Sequence, residues 1–304
     1  THILLSLSLT VHSNVTLEHR YTRILESRVP EEGFMHIGIP GGTNLLSIAM
    51  AFATPEIVNM LLEHGTDNTA VDVLGGDPFM LASILGRADN MSFWLKRFQF
   101  YDIERRNKAL GATTFGVCVY LGPNKYEAVK VLASVGARPD CINNAGSTTL
   151  MSACANEDCD PRVVRLLIKL FQQCSDLHLD VNIDTQLKSK SLKWKILRGT
   201  AKLMYRAGAH AGHLMERLAL GCGVTALHYA VRRGDAEVVQ ILLDAHADPY
   251  LKNDLGMNAF DYCDQFGPFP NVKRALEGAS VEGKSVSDGD DDDDDNDDKS
   301  ESVV

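Results

Sequence analysis

The strongest constraint in this 304-residue sequence lies between Gly223 and Asp254. Two short apolar runs stand there around Gly234-Asp235. Glycine takes a positive φ at low cost, and an aspartate after it caps the next helix through the free N–H groups of its first turn. Val238, Val239, Ile241, Leu242 and Leu243 supply one apolar helix face. Two helices this short cannot bury their apolar faces alone, so neighbours must stack on both sides. The neighbours are visible in the phase of the leading apolar residues. Leu46, Phe79, Phe115 and Leu150 follow one another at 33, 36 and 35 residues, and Leu227 comes 77 residues later. That last interval is long enough for two units.

Thr225-Ala226-Leu227-His228-Tyr229-Ala230 departs at one position from the T-P-L-H-x-A opening of an ankyrin repeat, and Ala245-His246-Ala247-Asp248 stands where x-G-A-D is expected. The chain thus resembles the ankyrin family over roughly residues 42–276. The resemblance implies an all-α solenoid of about seven helix-turn-helix units with short β-turn fingers. The units are expected near 42–74, 75–110, 111–145, 146–184, 185–221, 223–255 and 256–277. The fifth, at 185–221, is degenerate. Its first helix carries no signature, and Leu203–His210 reads as the end of its second. Trp194 should then be at least half buried, and Gly208 should end a helix in the left-handed region. Pro268 and Pro270 are expected to interrupt the terminal helix pair. Residues 1–41 form an N-terminal arm or cap.

The net charge of −10 is unevenly distributed. Residues 278–304 hold nine Asp, two Glu and two Lys, so they carry −9 and leave the body near −1. Six successive aspartates at Asp290–Asp295 repel one another and cannot build a core, so an acidic disordered tail is expected from 278 onward. The body's balance argues against general affinity for nucleic acid. The seven cysteines contain no C-x-x-C pair and read as reduced thiols of a cytoplasmic or nuclear protein. No apolar run reaches the roughly 20 residues of a membrane span. The opening THILLSLSLTV has no basic n-region or clear cleavage site and reads as a truncated start or loose arm rather than a signal peptide. The sequons at Asn14 and Asn90 are discounted, the second because it falls inside a helix.

No catalytic, cofactor or metal site is expected. In the ankyrin family the histidine at the place of His228 hydrogen-bonds loop backbone and joins neighbouring units. Thr225, Leu227, His228, Ala230 and Gly234 are thus structural signature residues. His213 and Glu216 would share a helix face, with His210 three residues before, but a third well-placed ligand is not indicated. The most distinctive segment is 188–206, with Lys188, Lys190, Lys193, Lys195, Arg198, Lys202 and Arg206 and no acid. Trp194, Leu197, Ala201 and Met204 recur at three- and four-residue steps and make one apolar face. It reads as a repeat helix with a solvated basic face, as a surface for an acidic partner, or as a membrane-surface or calmodulin-type helix. The chain's own acidic tail is one candidate to cover it.

The resemblance implies protein–protein recognition on the concave face, by a monomeric scaffold or adaptor without catalysis. The slots it exposes are Ile84, Leu85, Tyr120, Leu121, Val224, Arg232, Arg233, Asp254, Leu255, Met257, Gln265 and Phe266. Two other readings stand beside it. The tail could regulate or chaperone basic proteins, or the chain could be the ankyrin part of a larger channel or enzyme.

Overall fold

A computed structural model describes residues 28, 39–121, 125–175, 183–189, 191–208 and 218–285. Among the described residues six helix pairs stack in two rows. The first-helix row comprises α1 (Leu45–Phe52), α3 (Pro78–Ile84), α5 (Thr114–Tyr120), α7 (Thr149–Ala155), α10 (Ala226–Arg233) and α12 (Ala259–Phe266). The second-helix row comprises α2 (Pro55–Glu63), α4 (Ala88–Arg97), α6 (Tyr126–Ser134), α8 (Pro161–Ser175), α11 (Ala236–Asp244) and α13 (Pro270–Ser285). The helix α9 (Leu192–Arg206) belongs to neither row.

Local chemistry fixes where the helices begin and end. Side chains of Asn44, Asp77, Thr113, Thr148 and Asn258 each accept an N–H from the first turn of the helix they precede. Thr225 does so in a reciprocal pair with His228. Gly234 closes α10 at φ 73°, and Asp235 accepts from the Val238 N–H to open α11. Leu46, Phe79, Phe115, Leu150 and Leu227 are all buried in one continuous core that runs the length of the stack.

The fifth unit expected at 185–221 does not exist as a layer of the stack. α10 packs directly on α7, and α11 directly on α8. Arg233 donates to the Cys154 carbonyl at 3.1 Å, and Arg165 pairs with Glu237 at 2.9 Å across the same junction. The reason lies in the fingers. Each finger closes with the same backbone hydrogen bond across its base: Asp72 to Gly76, Asn107 to Ala112, Asn143 to Ser147, Asn253 to Met257. Between the fourth and fifth pairs the equivalent bond runs from the Leu187 N–H to the Val224 carbonyl, at 2.8 Å. Residues 188–223 are therefore an insertion into one finger, close to a repeat in length. Gly208 does end a helix with φ 68°, and Trp194 is more than half buried, but both belong to this inserted helix.

Two boundaries also move. Pro268 precedes the terminal second helix and Pro270 is its first residue, where a missing N–H costs nothing, so the last pair is complete. Residues 278–285, expected to be tail, continue α13. The aspartate run, Asn14 and most of the N-terminal arm lie outside the described residues. Asn90 is in α4 and fully buried, and its amide donates to the carbonyls of Met50 and Ala53, tying the second pair to the first. Among the described residues no helix is long and apolar enough to cross a membrane.

Candidate partner-binding surface

The fingers and the first helices form one face of the stack, and α9 lies against it. Ser191, just before α9, donates to the Asn144 carbonyl of the third finger at 3.3 Å. Arg198 reaches the Gly221 carbonyl at 2.8 Å. Lys202 pairs with the Asp254 carboxylate at 3.1 Å, and Arg206 donates to the Asp254 carbonyl at 2.9 Å. Tyr205 Oη accepts from Gln265 of α12 at 3.3 Å. The inserted helix thus runs across the fingers from the third finger to the sixth helix pair. Its inner face is Trp194, Leu197, Ala201 and Tyr205. Met204, expected on that face, is more exposed than these.

Beneath α9 remains a groove of about 230 Å³. Its floor is Val117 and Tyr120 of α5, Met151 and Ser152 of α7, and Tyr229 and Arg232 of α10. Trp194 and Arg198 form its wall on the α9 side. Its charge is positive. The Arg232 guanidinium sits 5.9 Å over the Phe266 ring, and among the described residues no carboxylate pairs with it. Arg198 stacks 5.8 Å over Trp194, and its buried Nε has no acceptor. An unmet buried donor is costly, so the groove favours a group that brings an acceptor.

The expected surface residues separate into two sets. Leu85, Tyr120, Leu121, Asp254 and Gln265 are exposed, and Ile84, Arg232, Leu255, Met257 and Phe266 are partly so. Val224 is 2% exposed and cannot meet a partner, because its carbonyl closes the split finger. Arg233 is held between the Cys154 carbonyl and Asp235, so it is a structural tie between helix pairs. Asp254 is exposed but already engaged by Lys202 and Arg206. The basic segment divides the same way. Arg198, Lys202 and Arg206, one helical turn apart, reach toward the stack. Lys188, Lys193 and Lys195 face solvent, and Lys190 lies outside the described residues. Sequence reasoning missed Ser191, Tyr205 and Gly221 as the anchors of the inserted helix. No local motif marks them.

His228 is a structural group here. It is 1% exposed, its Nδ1 accepts the Thr225 N–H at 3.2 Å, and its Nε2 lies 3.1 Å from the Met257 carbonyl. Accepting at Nδ1 leaves the proton on Nε2 to donate to the next finger. Burial lowers its pKa and holds it neutral. Its ring meets Tyr262 edge-on at 4.8 Å. The thiols of Cys118 and Cys154 are buried and their pKa values raised by burial, Cys118 to about 12, which keeps both protonated. Among the described residues no three metal-ligating side chains cluster. His210, His213 and Glu216 fall outside them.

Comparison with known proteins agrees with this architecture. Residues 220–263 match the family model described as ankyrin repeats (many copies). The mitochondrial disaggregase of Bos taurus is 30% identical over 141 residues, 46% of this chain and 19% of that protein. The Probable E3 ubiquitin-protein ligase XBOS34 of Oryza sativa subsp. japonica is 28% identical over 152 residues, 50% of this chain and 21% of that protein. The chain spans about one fifth of the length of these curated relatives. Among solved structures, the ankyrin repeat domain of Bcl-3 superposes with TM-score 0.50 at 22% identity, covering 78% of this chain and 83% of that one. An ankyrin repeat domain from Acinetobacter baumannii gives 0.52 at 17%, covering 77% and 97%. A chain from the complex of a predatory endopeptidase of Bdellovibrio bacteriovorus with an immunity protein gives 0.51 at 22%, covering 77% and 96%. By its repeat signature, its paired helix rows and these likenesses, the chain has the ankyrin repeat fold, and residues 220–263 match the ankyrin repeat family itself.

Proposed function

We propose that this chain is a protein–protein recognition module, a monomeric scaffold or adaptor that works by binding rather than catalysis. The observation that carries the reading is the positively charged groove between the first helices and α9, with Arg232 unpaired by any described carboxylate and the Arg198 Nε without an acceptor. Such a groove suits an acidic side chain of a partner, with Tyr120 and Tyr229 offering flat amphipathic contact area beside it. The complex of endopeptidase and immunity protein, in which a similar fold occurs, fits a binding role. Buried thiols held protonated suit a reducing compartment, and we place the chain in the cytoplasm or nucleus.

The test is affinity capture from cells by the full chain, followed by measurement of the Kd for the captured protein. Arg232→Glu and Tyr120→Ala are expected to weaken that Kd at least about tenfold, the usual effect of removing a binding hot spot. A partner retained by both variants but lost when residues 286–304 are removed would overturn groove binding in favour of the tail.

A further inference from the structure

The outer face of α9 carries apolar side chains that none of the described residues covers. Leu192 is 72% exposed, Ile196 59% and Leu203 69%. With Gly199 they follow one another at steps of four, three and four residues, the spacing of a heptad seam on one helix face. Gly199 has open space where a side chain would stand, so a second helix could approach closely there. The opposite face of α9 already packs on the stack through Trp194, Leu197 and Ala201. A helix that holds one apolar face against its own protein and shows a second to solvent is ordinarily half of an interface.

Charge selects the occupant. Lys193 and Lys195 are exposed on either flank of the seam, and residues 188–206 contain no acid. A second copy of α9 would set these lysines against their own kind. The chain's own aspartate-rich segment 286–304 has the right charge, but its apolar residues are only Val286, Val303 and Val304. It cannot fill a seam of Leu and Ile. A membrane surface would draw on an outward aromatic residue, whereas Trp194 turns inward against the groove. We propose that the outer face of α9 docks an amphipathic helix of a partner protein, one with a Leu/Ile seam flanked by Asp or Glu. The inference rests on the protein-recognition reading and gives the chemistry of a partner at a surface separate from the groove.

The test uses the full chain and a labelled synthetic three-heptad peptide with Leu and Ile in the seam and Glu on the flanks. A twin peptide with Lys flanks and vesicles of phosphatidylcholine with phosphatidylserine are the other probes. The Glu-flanked peptide is expected to bind at least about tenfold more tightly than its twin, and Ile196→Glu to weaken it at least about tenfold. Ile196 is exposed, so thermal unfolding should be unchanged. Lys193→Glu with Lys195→Glu should reverse the preference toward the Lys-flanked peptide, a result that mere misfolding would not give. Equal binding of both peptides, or indifference to Ile196→Glu, would overturn the proposal. Binding of vesicles without the peptide would replace it with a membrane surface, and an Ile196-dependent dimer in sedimentation would replace it with self-association. Arg232→Glu should leave peptide binding intact, so failure here and failure of the groove are read in separate assays.

Discussion

The third and fourth fingers of this protein face the same task and solve it differently. Between the third and fourth helix pairs the chain turns from Asn143 to Ser147 with nothing but a tight loop. Between the fourth and fifth pairs it leaves at Leu187, builds α9, and returns at Val224 to make the same backbone bond. The stacking on the far side is undisturbed, since α10 meets α7 as α7 meets α5. A solenoid's stability resides in contacts between neighbouring layers. An excursion at a finger tip leaves those contacts alone, provided its two ends return to adjacent positions. The bonds between Leu187 and residues 223 and 224 show that they do, and the neighbouring finger packs closely on the point of departure. A Cβ at Gly146 would overlap the Lys188 carbonyl, as a Cβ at Gly111 would overlap Asn144 of the next finger.

The largest expected effect separates layer contacts from the insertion. Leu242→Ala removes a fully buried side chain from between the fifth and neighbouring layers and should cost about 2–5 kcal/mol. Hydrogen exchange should show protection lost first in α10 to α13, and a uniform loss from α1 onward would break the layer-by-layer picture. Replacing residues 190–217 with a short Gly-Ser linker should matter less. Shortening a loop regains about 0.6 kcal/mol per halving of its length. Against this stands the lost burial of Trp194 and Ala201, at most about 1.5–3 kcal/mol for a large side chain. The net change is expected within about 2 kcal/mol with one cooperative transition in denaturant. Two transitions, one on each side of the finger, would show that α9 itself holds the halves together.

The smallest effect sharpens the comparison among regular layers. Gly65 and Gly136 close the second helices of the first and third pairs with φ of 80° and 76°. His246 does the same duty in the fifth pair at φ 64°, a region that disfavours side chains. Its imidazole is exposed, so little packing would be lost. His246→Gly should stabilise the chain by about 0.5–1 kcal/mol, after the entropic cost of glycine offsets part of the relieved strain. A lower midpoint in chemical denaturation would mean that His246 makes a contact outweighing its backbone strain.

Much of the stack was legible because its signals are local. Gly234 reads as a left-handed stop, Asp235 as a cap and His228 as the tie to the next finger, and each is decided within a few residues of itself. The layer count was not legible. The insertion is nearly one repeat long, so the interval from Leu150 to Leu227 divides into two plausible units. Val224 and Arg233 were misplaced for a related reason. A finger residue's exposure depends on what lies across from it, and across from these two lie Leu187 and Cys154.

The sequence by itself determined the repeat type and most of the helix starts and caps, because the Thr225–Ala230 opening, apolar phase and glycine stops are properties of short segments. Only the tertiary structure decided that the fourth and fifth pairs touch, and which side of α9 faces water. Residues 192–206 are apolar along two lines, Trp194, Leu197 and Ala201 on one and Leu192, Ile196 and Leu203 on the other. Periodicity gives such a helix two equivalent ways to lie. The bonds of Arg198, Lys202 and Arg206 to Gly221 and Asp254 select one of them, and those partners lie 23 to 52 residues away in sequence.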